Sequence, residues 1–197
     1  MIVFWVVLGV IACERVAELV VSARHASALL RDDGVESGFG HFPVMVVLHA
    51  ALLAGCVLEP VLLHRAFIPA LGYPMLVVVI AANGLRWWCI TTLGVRWTAR
   101  VIVLPGRSLV RSGPYRWFAH PNYVAVIVEG AALPLVGSAW ITATCFTVLN
   151  AVLLTVRIRC EARALRAAGT AVAPDARQAG PGSAGSSAGT SGSPVRP

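Results

Sequence analysis

Apolar residues in this chain come in long blocks rather than in alternation with polar ones. Residues 2–13 carry no charged or amide side chain, and only then do Glu14, Arg15 and Glu18 appear ahead of Leu19-Val20-Val21. Further apolar blocks occupy about 43–63, 68–93, 121–137 and 139–157. A hydrocarbon layer of about 30 Å needs roughly 20 apolar residues of helix. The pattern therefore predicts an all-α integral membrane protein with about five transmembrane helices, the first over about 1–21. The fourth block is short, with Val124–Val136 as its apolar part, and continues a helix begun near Pro121. Only Gly137-Ser138 separates it from the fifth, so the last two form a helical hairpin. Pro43 suits a helix start, and Glu59-Pro60 weakens or ends the second helix. Between the first two blocks, Ser22–His41 reads as a polar connection, with turns at Asp32-Asp33-Gly34 and at Gly38 and Gly40. From Gly169 onward the chain is Ala, Gly, Ser and Pro with almost nothing to bury, so 169–197 is expected to be a disordered tail. One membrane-embedded domain over 1–168 remains.

One stretch fits no period. Leu104–Tyr123 has the repeat of neither a helix nor a strand, yet it is polar, basic and aromatic at once. Three Pro and two Gly constrain its backbone, while Arg, Tyr, His and Asn supply donors, acceptors and flat faces. It reads as a binding loop.

Composition supports the membrane reading. Of 197 residues, 57% are hydrophobic and 13% charged, and mean hydropathy is +0.76; a soluble domain carries about 25% charged residues. Net charge is +7, and all 16 basic residues are Arg. Their clustering in particular loops argues for membrane topology and against nucleic-acid binding. Arg96, Arg100, Arg107, Arg111 and Arg116 precede the fourth block, and Arg157, Arg159, Arg163 and Arg166 close the fifth. Only Arg65 lies between the second and third. Positive charge marks the cytoplasmic side, which puts the N-terminus outside and the loop and C-terminus inside. No charged leader or cleavage site precedes the first block, so it reads as a retained span. The five Cys are scattered without a C-x-x-C, which fits reduced thiols better than disulfides or zinc; no metal is expected.

Charges inside the blocks need an account, since one at the bilayer centre costs roughly 2.5–3.5 kcal/mol. Glu14 and Glu18 lie one helical turn apart, with Arg15 in reach of Glu18. They either anchor the helix by snorkelling or line a polar pocket. His49 reads as a hydrogen-bonded interior histidine, and Asn83–Trp88 as an interfacial belt. Glu129 either pairs with an interior Arg or Asn or acts as a base. Arg157 and Glu161 share a helix face, either as a water-facing ion pair or as part of a site with the loop.

The loop's Gly113-Pro114-Tyr115, then His120-Pro121-Asn122-Tyr123, then a hairpin closing on Arg157 and Glu161, resemble the signature of the isoprenylcysteine carboxyl methyltransferase family over about residues 84–166. Ala119 stands where a basic residue usually precedes the His-Pro, and Ala162 where a second acid often follows Glu161. The front half is similar to a bacterial branch that methylates phenolic lipids made by type III polyketide synthases. Its resembling pieces are Glu14-Arg15 with Glu18, Ser22 and Arg24, then Glu36 to Gly38 with His41, His49, and Arg96-Trp97-Thr98.

The resemblance implies S-adenosylmethionine as cofactor, contacted by Arg107, Ser108, Leu109, Val110, Tyr115, His120, Pro121, Asn122, Tyr123 and Glu161, with Arg157 facing the acceptor. It also implies a lipophilic acceptor, membrane lipid around the chain and a functional link to a type III polyketide synthase. Methyl transfer from a sulfonium is an in-line displacement, so positioning is the protein's main task. Tyr115, Tyr123 or Trp117 can face the sulfonium, and Glu161 can take the cofactor's ammonium. A carboxylate acceptor needs no base and suits Arg157. A phenol, with a pKa of about 10, calls for one, and His120 and Glu129 are the candidates. The expected activity is O-methylation of a phenolic or pyrone lipid. Carboxyl methylation of an isoprenylcysteine or other lipid-linked acid is the second reading. A scaffold or small transporter using Glu14, Glu18 and Glu129 is a third, disfavoured because a transporter concentrates its polar groups at the midplane.

Overall fold

The computed structural model describes residues 2–38, 40–105 and 110–167. Arg107, Ser108, Leu109 and the tail at 169–197 lie outside them. Five helices dominate: α1 (Ile2–Arg31), α2 (His41–Leu62), α3 (Pro69–Leu93), α4 (Pro121–Val136) and α5 (Trp140–Ala167). Three helical segments are long and apolar enough to cross a membrane: His41–Leu62, Pro69–Arg96 and Trp140–Ala167. Mostly helical and apolar, this is the architecture of an all-α membrane protein. α4 is shorter, at 16 residues, and α1 carries Glu14, Arg15 and Glu18 within its apolar part.

Local chemistry sets the helix ends. α1 runs through the stretch 22–31 that its polarity marks as a connection, because no Gly or Pro interrupts it and Ala and Leu favour helix. It stops where Asp33 takes a positive φ of 60° and Gly34 N–H donates back to the Leu29 carbonyl at 2.9 Å. Pro69 and Pro121 each sit in a first turn, where the missing N–H costs nothing. Pro60 does not end α2, which continues to Leu62.

The all-α expectation misses one feature. Val35–Ser37 (β1) pairs antiparallel with Val101–Val103 (β2), Glu36 opposite Ile102. This ribbon ties the α1–α2 connection to the segment after α3, and Arg100 reaches Glu36 at 3.3 Å.

The apolar core lies toward the opposite end, where Phe4, Leu8 and Ile11 of α1 meet Leu52, Cys56, Val79, Leu133, Val136 and Phe146. Glycine allows the closest approach: a Cβ on Gly130 would overlap the Phe146 ring. At this end Glu59 of α2 caps α5, accepting from Ile141 N–H at 3.1 Å, Thr142 N–H at 2.8 Å and the Thr142 hydroxyl at 2.9 Å. A helix cap contributes about 1 kcal/mol. Glu59→Ala is therefore expected to lower the thermal midpoint of the solubilised protein by a few degrees, and Glu59→Gln, which keeps one acceptor oxygen, by less. Equal midpoints for all three proteins would show that the cap contributes nothing.

Candidate functional site

Two polar clusters lie along α4. The first gathers at its N-terminus, where the α4–α5 hairpin brings the end of α5 back beside His120. Tyr123 is the pivot. Its hydroxyl donates to Glu161 Oε2 at 2.7 Å and accepts from Arg157 Nε at 3.1 Å. His120 stacks on the Tyr123 ring, 5.2 Å between centroids and 14° between planes, and its Nδ1 is 4.0 Å from Glu161. Arg157 and Glu161 thus communicate through the tyrosine rather than as the ion pair their spacing suggests.

Arg157 is buried and heavily committed. Its Nη2 donates to the Ala99 carbonyl at 2.6 Å, its Nη1 to Met45 Sδ at 2.9 Å, and its guanidinium lies over the Tyr123 ring at 5.6 Å. The segment it grips is fixed from α1 as well: Ala99 N–H donates to Ser22 Oγ at 2.8 Å, and His25 Nδ1 meets the Trp97 carbonyl at 2.9 Å.

Other residues named from the sequence surround this cluster. Pro121 is buried in the first turn of α4, and Asn122 keeps a buried Oδ1 with no hydrogen-bond partner among the described residues. Tyr115 lies in the short helical turn Gly113–Arg116. Burial, and then the Cys89 thiol it touches, push its hydroxyl well above the usual tyrosine range, so it stays neutral at physiological pH. Val110 is exposed only in part, at the edge of the loop. Trp117 points away, exposed and edge-on to Trp88 at 5.8 Å.

The second cluster is an ionic network across α1, α3 and α4. Arg86 donates twice to Glu18, Nε to Oε1 at 2.7 Å and Nη2 to Oε2 at 2.6 Å. Arg15 reaches Glu18 at 3.1 Å and Glu129 at 3.7 Å, and Asn83 donates to Glu14 at 2.7 Å. Glu14, Arg15 and Glu18 of α1 thus face protein rather than snorkelling to the surface. Trp87 and Trp88 are exposed as an interfacial belt requires, but Asn83 and Arg86 of the same stretch turn inward. Glu129, His49 and Arg15 line a small pocket with Ile11, Leu52, Leu53 and Leu133. His49 Nδ1 lies 2.9 Å from the Met45 carbonyl of its own helix. The six residues from Tyr123 to Glu129 separate the two clusters by about 9 Å along α4.

Sequence reasoning names His120, Tyr123, Arg157 and Glu161, which the fold brings together. It leaves Glu129 open between an interior ion pair and a base, and the fold sets Glu129 in the second cluster, 3.7 Å from Arg15. It misses Met45 and the Ala99 carbonyl, for which a main-chain oxygen and a lone thioether leave no sequence signal. Among the described residues no group of three or more His, Cys, Asp or Glu could hold a metal ion.

Residues 75–167 match the model of the isoprenylcysteine carboxyl methyltransferase (ICMT) family. The chain is 32% identical over 164 residues to the uncharacterized protein YpbQ of Bacillus subtilis (strain 168), covering 83% of this chain and 96% of that protein. It is 26% identical over 152 residues to an uncharacterized protein of Haemophilus influenzae, covering 77% and 88% respectively. No solved structure matches.

Proposed function

Because the chain belongs to the isoprenylcysteine carboxyl methyltransferase family, whose members are membrane methyltransferases using S-adenosylmethionine, we propose that it transfers that cofactor's methyl group to the oxygen of a lipophilic acceptor. The acceptor is a phenolic or pyrone polyketide lipid. The observation that carries the cofactor half is the donor set at the α4 N-terminus. The cofactor's amino-acid end is a zwitterion next to a sulfonium. It would meet the Glu161 carboxylate, the Asn122 Oδ1 that has no hydrogen-bond partner among the described residues, and the stacked faces of His120 and Tyr123, with Tyr115 alongside. When bound, S-adenosylmethionine supplies an electrophilic methyl group; the chain supplies geometry, desolvation and a place for the proton.

Two features support a neutral acceptor over a carboxylate. All three nitrogens of Arg157 already donate, to Tyr123, Met45 and Ala99, so an acid would have only its two remaining N–H groups to bind. The second cluster sets three carboxylates against two guanidiniums and so repels an anion. Glu129, whose ion-pair partner among the described residues is Arg15 at 3.7 Å, is the base in this reading: it takes the acceptor's hydroxyl proton as the C–O bond forms. Arg157 acts through Tyr123 and Glu161, and His120 shapes the cofactor side.

The reading includes a topology of five spans, with the N-terminus outside and the site in the cytoplasm. Exposed arginines at Arg24, Arg31, Arg111 and Arg159 gather at the site end, against the half-exposed Arg65 at the other. Type III polyketide assembly is the class of reaction that would supply the acceptor. Carboxyl methylation of an isoprenylcysteine or other lipid-linked acid is the alternative, and it is compatible with the family.

Product chemistry separates the two. Purified protein given S-adenosylmethionine with a labelled methyl group and a long-chain resorcinol is expected to yield a label that extracts into organic solvent and survives hydroxide, as an ether does. Glu129→Gln should lose most of that turnover at neutral pH while keeping cofactor affinity. Label transferred only to prenylcysteine and released by hydroxide would establish the ester reading instead.

A further inference from the structure

The loop that carries Tyr115 and His120 has two unlike faces. Its inner face is built into the protein: Pro114 is buried, and the Tyr115 side chain lies on the fully buried Cys89 of α3. Gly113, at a φ of +56°, lets the loop lie flat on α3, because a Cβ there would stand 2.6 Å from Thr92 Oγ1 and 3.2 Å from Trp88 Nε1. The outer face is the reverse. Trp117 is 64% and Phe118 55% exposed, and Arg111 and Arg116 beside them are exposed as well. Among the described residues neither arginine has a carboxylate within ion-pair distance.

Depth in the membrane follows from Trp88. Trp87 and Trp88 are the exposed tryptophans near the end of α3, and indoles of this kind settle at the headgroup level. Trp117 packs edge-on against Trp88 at 5.8 Å, so the loop's tip lies at the same depth. Two guanidiniums flanking two exposed aromatic rings at headgroup depth face lipid phosphates, and each such cation near an anionic leaflet is attracted to it. The exposed Arg159, Arg163 and Arg166 of α5 extend the basic surface past the site.

We propose that residues 110–118 form a lipid-seated lid: Arg111, Arg116, Trp117 and Phe118 bind anionic phospholipid headgroups, and this contact holds Tyr115 and His120 in place over the cofactor site. The coupling part rests on the methyltransferase reading; the lipid contact does not. Among the described residues of the loop, the outer face is the part free to meet a leaflet, since the inner face is spent on α3. Anionic lipid thereby strengthens cofactor binding without touching the cofactor.

The test uses the full chain in nanodiscs of phosphatidylcholine, alone or mixed with phosphatidylglycerol. The contact is read as the quenching of Trp117 by headgroup-labelled lipid, taken as the difference between wild type and Trp117→Phe. Phosphatidylglycerol is expected to increase this quenching and to tighten S-adenosylmethionine binding several-fold. The pair Arg111→Gln and Arg116→Gln should remove both responses and leave the thermal midpoint unchanged. Equal quenching in both lipids overturns the proposal. Lipid-dependent quenching with a constant cofactor Kd overturns the coupling. If no nanodisc binds cofactor, the methyltransferase reading fails, and quenching still decides the lipid seat.

Discussion

Glu161→Ala is expected to weaken S-adenosylmethionine binding by roughly ten- to a hundred-fold, the loss of one hydrogen bond to a charged group. Tyr123 sets the carboxylate's orientation. Its hydroxyl donates to Glu161 at 2.7 Å while accepting from Arg157 at 3.1 Å, which holds the carboxylate in one orientation. Glu161→Gln keeps the shape and loses the charge, and should lie close to Ala in affinity if the carboxylate meets an ammonium. Tyr123→Phe keeps the charge and loses its orientation, so a several-fold loss is expected. The order Ala and Gln weakest, Phe intermediate, wild type tightest is read by calorimetric titration of solubilised protein. If Glu161→Gln bound as tightly as wild type, the carboxylate would have no ionic role.

Arg86→Leu is expected to have the largest effect on folding. The guanidinium and Glu18 are both buried and share two short hydrogen bonds. Removing one partner of such a pair costs about 3–5 kcal/mol, because an uncompensated charge stays behind. Arg15 already serves Glu18 and Glu129 and cannot replace the bidentate contact. The variant should show a much lower thermal midpoint or a low yield of folded protein. The double variant Glu18→Leu with Arg86→Leu removes both charges and should recover much of the loss. A single variant with a wild-type midpoint would mean that the pair adds nothing to stability.

The two clusters were not equally legible in the sequence. The first could be read because a connection of only a few residues forces α4 and α5 antiparallel. With Tyr123 in the first turn of one helix and Glu161 near the end of the other, no further information is needed to bring them together. The second could be read only in half. Glu14, Arg15 and Glu18 announce a cost in the membrane, but nothing in their spacing shows that Arg86, 68 positions away from Glu18, offsets it. Its neighbours Trp87 and Trp88 are exposed, and two adjacent tryptophans make the whole stretch read as an interfacial belt. The ribbon of β1 and β2 was illegible for a different reason: strands of three residues are too short to display a period of two. The length of α1 was misread because polarity at 22–31 was weighed above the absence of any helix breaker. For Glu129 the sequence offers an interior partner or a base, and its depth, nearly two turns beyond Tyr123 along α4, brings it to Arg15.

In the proposed function the α4 N-terminus and the end of α5 hold S-adenosylmethionine. The most direct measurement is calorimetric titration of the cofactor into detergent-solubilised wild-type protein, with Glu161→Ala run in parallel. Saturable one-to-one binding to wild type, weakened at least ten-fold in the variant, is the predicted result. A flat wild-type titration at high micromolar cofactor, from protein shown to be folded, would contradict the claim.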